Sequence, residues 1–194
     1  MNTIAGLVLA AGLSRRFGAD KRCARLPDGQ TLLDASLAIP LAHLSEVWVV
    51  LRPTDQISDL GLSGRVKAVR GEFAELGMGH SLASGAREIA QHSKADAMAI
   101  FLGDMPWIRG ETLTRLLDEA GQERIVVPVH QGQPGHPVIF GRRFWPELQQ
   151  LTGDTGARAL IVAHPSAVLR VEVGDVGVVR DVDVPVALMK EVDG

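Results

Sequence analysis

Val8-Leu9-Ala10-Ala11-Gly12-Leu13-Ser14-Arg15-Arg16-Phe17-Gly18-Ala19-Asp20-Lys21 runs from an apolar stretch straight into a loop with two glycines, two arginines and a lysine. Such a loop suits an anion. Ala10, Ala11, Gly12 and Gly18 keep side chains out of the way, so backbone N–H groups can approach a phosphate closely. Arg16 and Lys21 add fixed positive charge where phosphate oxygens would sit. No Gly-Lys-Ser/Thr closes the loop, so it is not a Walker loop, and the Gly-x-Gly-x-x-Gly spacing of a dinucleotide fingerprint is absent.

Other chemistry-bearing stretches follow. Gly103-Asp104-Met105-Pro106 succeeds the apolar run Ala99 to Leu102. Asp104 there is either a carboxylate ligand for Mg²⁺, which prefers hard oxygens, or a cap for the next helix. In Asp181-Val182-Asp183-Val184-Pro185, strand alternation puts Asp181 and Asp183 on one face. Either could be a second metal carboxylate, Asp183 being favoured, or one could cap a last helix that has Pro185 in its first turn. His136 in Gly135-His136-Pro137 and Arg158 in Gly153-Asp154-Thr155-Gly156-Ala157-Arg158 are candidates to meet a substrate, against local structural roles. Gly79-His80-Ser81 opens a helix, where free N–H groups favour an anion or a base carbonyl. The single Cys23 has no nearby His or acid and is not read as a nucleophile.

These residues must be positioned by alternating elements. Strands are expected at Ile4 to Ala10, Glu46 to Leu51, Val66 to Val69, Ala97 to Leu102, Ile125 to Val129, Pro137 to Phe140, Val168 to Val173 and Val178 to Val182. A helix capped by Thr31 carries Leu33, Leu37 and Leu41 on one face, and Pro40 is expected to kink or shorten it. Thr54 to Leu60 reads as a short helix. A further helix should turn Met78, Leu82, Ala86 and Ile89 inward; others are expected at Thr112 to Ala120, from Arg142 to about His164 with an interruption, and at Val184 to Val192. The pattern predicts an α/β chain in three layers with a mostly parallel sheet. A small antiparallel excursion over 125–173 should carry acceptor contacts. The hydrophobic fraction of 46% fits a real core, and a net charge of −3 excludes a generally basic nucleic-acid binder. Apolar runs are too short for a membrane span, no basic leader is evident, and one cysteine permits no internal disulfide, which together predict a cytoplasmic protein.

The spacing Leu-Ala-Ala-Gly-x-Ser-x-Arg-x-Gly-x-x-Lys over Leu9 to Lys21 resembles the signature of nucleotidyltransferases that make nucleoside-diphosphate-linked products. More narrowly, the chain resembles the MobA/MocA-like proteins of the molybdenum-cofactor branch. The resemblance continues through Thr31 to Asp34, Gly77 to Ser81, Gly103 to Pro106, Pro134 to Pro137, Gly153 to Arg158 and Asp181 to Pro185. It implies a single nucleotidyltransferase domain over residues 1–194, Rossmann-like, with nucleotide bound by about 1–106 and acceptor by about 125–173. It further implies Mg²⁺-dependent transfer of CMP from CTP to molybdopterin or Mo-molybdopterin, releasing pyrophosphate, with a molybdoenzyme as a further partner. On that resemblance Leu9, Ala10, Ala11 and Gly12 meet the nucleotide, Arg16 and Lys21 hold its phosphates, and Ser81 lies near base or ribose. Asp104 and Asp183 hold Mg²⁺, and His136 faces the pterin. Guanylyl relatives look like Leu-Ala-Gly-Gly; Ala11 leans to CTP, while Leu9 is shared with the guanylyl type. Val184 stands where related sequences usually have Thr. GTP as donor, and a cofactor-binding accessory protein that turns nothing over, are the rival readings; a dehydrogenase is disfavoured by the missing fingerprint.

Overall fold

The structure is a computed structural model that describes residues 2–13 and 17–183. Its strands are β1 (Ile4–Leu9), β2 (Glu46–Leu51), β3 (Val66–Arg70), β4 (Ala97–Leu102), β5 (Ile125–His130), β6 (Gln133–Pro134), β7 (Val138–Gly141) and β8 (Val168–Glu172). The helices are α1 (Leu32–His43), α2 (Met78–His92), α3 (Gly110–Asp118), α4 (Trp145–Leu148) and α5 (Arg158–Ala163). One sheet of eight strands runs β3-β2-β1-β4-β7-β5-β6, with β8 also paired to β5. β3, β2, β1 and β4 are mutually parallel; β7 is antiparallel to both β4 and β5, and β8 is parallel to β5. The fold is therefore Rossmann-like α/β, mostly parallel, with a small antiparallel part.

Both sheet faces are covered, which is why the central strands read as continuous apolar runs. Val47, Val49, Leu51 and Phe101 pack with Leu33 and Leu37 of α1 and Leu113 and Leu116 of α3. On the other face Leu7, Val50 and Phe140 pack with Leu82, Ala86 and Ile89 of α2, Trp145 and Leu148 of α4, and Leu160 of α5. Thr31 caps α1: its hydroxyl accepts from the Asp34 N–H at 3.1 Å and donates to the Asp34 carboxylate at 2.7 Å.

Chain order places the site. From β1 the chain moves outward to β2 and β3, then crosses back through α2 to β4 on the other flank of β1. The carboxyl ends of β1 and β4 thus face each other at a topological switch point, where open α/β sheets bind ligands. Leu9 pairs with Leu102, and the Gly103 N–H donates to the Leu9 carbonyl at 2.9 Å.

Several expectations are corrected. Val178 to Val182 is not a strand: Val176–Val179 is a single 3-10 turn, because the buried Asp175 carboxylate accepts from the N–H groups of Gly177 and Arg109 and curls the chain there. α1 continues to His43 past Pro40, which sits one turn from the end, and the Leu44 N–H closes on the Pro40 carbonyl at 2.9 Å. The stretch from Arg142 to His164 is helical in short pieces, a 3-10 turn at Arg142–Phe144 leading into α4 and then α5 beyond the expected interruption, and Thr54 to Leu60 holds only a 3-10 turn at Ile57–Leu60. Met78 is exposed, because it opens α2 beyond the strand ends, where no sheet covers it. The helix expected over Val184 to Val192 lies outside the described residues. No helix among the described residues is long and apolar enough to cross a membrane.

Gly135 joins the excursion to the chain's late segment. Its N–H donates to the Pro128 carbonyl at 2.9 Å, and the next N–H, of His136, donates to the Val178 carbonyl at 2.7 Å. A Cβ on Gly135 would lie 2.1 Å from that Val178 oxygen. Gly135→Ala is expected to cost about 1–3 kcal/mol and to lower the melting temperature by several degrees. Gly174→Ala, with nothing within 4 Å of its added carbon, should melt like the parent chain.

Candidate active site

Beyond the ends of β1 and β4 lies a crevice of about 460 Å³ whose walls include Leu9 to Leu13, Lys21, Ser81 and Asp104. The sequence-predicted residues Leu9, Ala10, Ala11, Gly12, Lys21, Ser81 and Asp104 are thus brought together. Arg16 lies outside the described residues. A second, smaller crevice of about 190 Å³ adjoins it, sharing Leu9, Met78 and Leu102 as wall, and contains His136 and Arg158.

At the floor of the first crevice the Lys21 ammonium donates to Asp104 Oδ2 at 2.5 Å and to the Val182 carbonyl at 3.2 Å, and lies 3.9 Å from Asp183. Lys21 and Asp104 are each largely buried, with side chains 17% and 18% exposed, so this pair is screened less than a surface pair. The Val182 N–H donates to the Asp104 carbonyl at 3.0 Å, which ties the late segment to the loop after β4. Asp104, Asp181 and Asp183 each present an oxygen within 4.8 Å of the others. Burial, then the negative charges of Asp183 and Asp104, push the Asp181 carboxyl above its ordinary pKa. Asp104 Oδ1 is buried without a hydrogen-bond partner. An orphaned carboxylate oxygen beside two further carboxylates fits a hard divalent cation, the donor set that Mg²⁺ and Mn²⁺ take.

His136 is half-buried in the second crevice. Its Nδ1–H points at the Ile100 carbonyl, 3.4 Å away, so Nε2 is the nitrogen left to accept. Burial holds its pKa below the ordinary imidazole value, against the opposing pull of that carbonyl and of Asp104, so the ring is neutral at pH 7. Arg158, exposed at the start of α5, is the permanent cation among the described residues of this wall.

Behind the loop lies a group of residues that sequence reasoning missed. Arg22, only 4% exposed, donates to the Ala10 carbonyl at 3.0 Å, to Asp55 at 2.5 and 2.7 Å, and to Asp20 at 2.6 and 2.9 Å. Arg52 donates to Asp20 at 3.0 Å and through two nitrogens to the Gly12 carbonyl; its own N–H donates to Asp55 at 2.8 Å. Arg52 and Asp55 directly follow β2, and the rule that sites sit beyond strand ends is the signal that could have flagged them. Arg22 carried no such signal, since its acceptors come from both ends of the loop after β1 and from the turn after β2.

A family model described as "MobA-like NTP transferase domain" matches residues 6–168. The chain is 31% identical to the purine catabolism protein PucB of Bacillus subtilis over 93% of this chain and 91% of that protein. It is 25% identical to a probable molybdenum cofactor guanylyltransferase of a Geobacillus strain, over 78% of this chain and 76% of that one. The crystal structure of Rv0371c from Mycobacterium tuberculosis superposes with a TM-score of 0.80 at 28% identity, covering 96% of this chain and 95% of the other. A manganese complex of the same protein gives 0.73 at 26% identity, over 89% and 88%.

The arginine network sets an acid limit on stability. Hydrogen bonds from Arg22 hold the Asp20 carboxyl below its ordinary pKa. Burial alone would raise Asp55, yet the Arg22 hydrogen bonds, the Arg52 N–H and both guanidinium charges leave it lowered. A carboxyl with a lowered folded pKa adds stability above its unfolded value of about 3.9, and that stability is lost as pH falls through the folded pKa. Melting temperature should therefore drop below about pH 4. Asp55→Asn, less stable at pH 7, should show a shallower drop over the same range; equal slopes would remove Asp55 from the account.

Proposed function

The chain belongs to the MobA-like NTP transferase family, and from that premise we propose that it transfers CMP from CTP to a molybdopterin-type phosphate, releasing pyrophosphate. Nucleotidyl transfer is the family's chemistry; the base and the acceptor are the proposed part. The observation that carries the reading is the meeting of Lys21, Asp104 and Asp183 beneath a small-residue loop at the switch point.

In the proposed reaction the acceptor's phosphate monoester is already ionised at neutral pH and needs no general base. Its oxygen forms the new bond to the α-phosphorus, while the bond from that phosphorus to the bridging oxygen breaks and pyrophosphate carries away the electron pair. Catalysis is then positioning and charge neutralisation. The N–H groups of Ala11, Gly12 and Leu13 face the triphosphate, and Lys21 moves its charge onto the phosphate oxygens. Arg16 is assigned to the same phosphates from the sequence signature. Ser81, buried in the first turn of α2 within the crevice wall, lies on the base or ribose side. Asp104 and Asp183, with Asp181 beside them, would hold Mg²⁺, which when bound supplies charge neutralisation at the triphosphate. The manganese complex of the mycobacterial relative supports a divalent ion here. His136 and Arg158 line the second crevice, where the acceptor is placed: neutral His136 accepts a hydrogen bond, and Arg158 meets an anionic group.

Ala11, in place of the glycine of guanylyl sequences, favours CTP. A second reading, GTP as donor at the same site, is favoured by the Geobacillus relative, which is named a guanylyltransferase. Pyrophosphate release should be measured with CTP, GTP, ATP and UTP, each with molybdopterin and Mg²⁺. CTP is expected to lead. A strong GTP preference would overturn the choice of base, and tight acceptor binding without pyrophosphate from any nucleotide would leave an accessory binding protein. Lys21→Ala and Asp104→Asn are each expected to lower turnover about a hundredfold or more while the far-ultraviolet spectrum is kept. Near-normal transfer by either folded variant would remove the role given to that residue.

A further inference from the structure

The carbonyl groups of Ala10 and Gly12, either side of Ala11, are both engaged by arginines: Ala10 by Arg22, Gly12 by Arg52. A trans peptide points its C=O and the following N–H in opposite directions. Fixing the Ala10 carbonyl therefore fixes the Ala11 N–H, and fixing the Gly12 carbonyl fixes the Leu13 N–H. Among the described residues no hydrogen bond uses the N–H groups of Ala11, Gly12 or Leu13, and all three residues line the large crevice. From this we infer that Arg22 and Arg52 are positioning residues that preset the loop's N–H groups for the nucleotide's phosphates, with Asp20 holding both guanidinium groups and Asp55 holding the Arg22 guanidinium and the Arg52 backbone N–H.

Stability alone does not account for Arg52. The Gly12 residue is exposed, so water could satisfy its carbonyl. A net gain of about 0.5–1.5 kcal/mol is all that such a bond brings to folding. What Arg52 adds is direction, because a planar guanidinium held at Asp20 can present its other donors along one line only. The same network closes the loop at its neck. Arg22 and Asp20 flank Lys21 in sequence, and Arg22 reaches back to Ala10, so the two ends of the loop are pinned to one another before any ligand arrives. Asp55 completes the neck from the turn after β2, and that turn is held in place by Arg70, which donates to the Pro53 and Asp55 carbonyls at 2.9 and 2.6 Å. Residues 10–13, preset in this way, forfeit little ordering entropy on binding, which adds to affinity.

The inference rests on the nucleotide-loop reading given under the proposed function. Two variants test it. Arg52→Met removes the Gly12 clamp from a partly exposed side chain. Arg22→Met combined with Asp55→Asn removes the Ala10 clamp without stranding a buried charge against Asp55, the change that most threatens folding. Arg65→Met, whose guanidinium donates to the Leu41 carbonyl away from the loop, serves as reference. Inorganic tripolyphosphate and CTP are titrated calorimetrically into each folded protein, and KM is measured separately for nucleotide and for acceptor. Both clamp variants are expected to bind tripolyphosphate and CTP about tenfold or more weakly, with nucleotide KM raised to match and acceptor KM unchanged. A merely structural role lowers apparent kcat through the active fraction and leaves both KM values alone; that pattern, or binding within twofold of the parent, overturns the inference. If the double variant does not fold, Arg52→Met decides. A parent chain that binds neither CTP nor GTP overturns the nucleotide-loop reading itself, a failure visible before any variant is made.

Discussion

A single backbone hydrogen bond, from the Gly103 N–H to the Leu9 carbonyl, holds together the two strand ends on which the site is built. It extends the β1–β4 pairing one residue past the strands, so the loops leave the sheet in contact. The contact is tight: a Cβ on Gly103 would sit 3.1 Å from both the Ala10 Cβ and the Leu9 oxygen. Small residues at 10 and 103 are thus demanded twice, once by access to the crevice and once by the closeness of the two chains. Lys21 and Asp104 meet at 2.5 Å across 83 positions of sequence because of this step. The late segment joins through the Val182 N–H to the Asp104 carbonyl, so three loops converge on one residue, Asp104.

Electrostatics sets what that convergence can hold. Three carboxylates close together repel, and the raised pKa of Asp181 records the repulsion together with its burial. The Lys21 ammonium offsets part of it, yet Asp104 Oδ1 still lacks a partner. Behind the loop the balance is different. Two arginines and two aspartates there pair fully, and Arg22 is buried with its donors spent. Satisfied charge forms the scaffold, and unsatisfied charge faces the crevice.

How much of this could be read from the sequence depends on how local the cause is. The glycine-containing loop, Asp104 at a strand end and the Thr31 cap were legible because each follows from neighbours within a few residues. The antiparallel excursion was legible from the break in alternation after residue 125. The Val178 turn was not: its valines imitate a strand, and only the buried Asp175, whose partners are Arg109 and Gly177, overrides them. Met78 followed the helical period faithfully but lies where the sheet has ended. Arg22, Arg52 and Asp55 were invisible as a group, since a charged residue in a loop shows nothing of a partner 33 positions away.

The two crevices divide the proposed reaction by the kind of force each can exert. The larger one concentrates charge: Lys21, Arg22 and the aspartates lie in its wall or just behind it. The smaller one is lined chiefly by apolar side chains, with neutral His136 and a single arginine among its described residues. In the proposed assignment a neutral imidazole there would select by hydrogen-bond direction and the apolar wall by shape, so charge recognition of the acceptor would fall to Arg158. The shared wall of Leu9, Met78 and Leu102 would then be the boundary that the attacking oxygen of the proposed reaction crosses. Its side chains carry no charge, so they add neither cation nor anion to the line between attacking oxygen and leaving group. An acceptor with a broad ring body and a phosphate at one end matches that division, and it matches for reasons that do not depend on which base the donor carries.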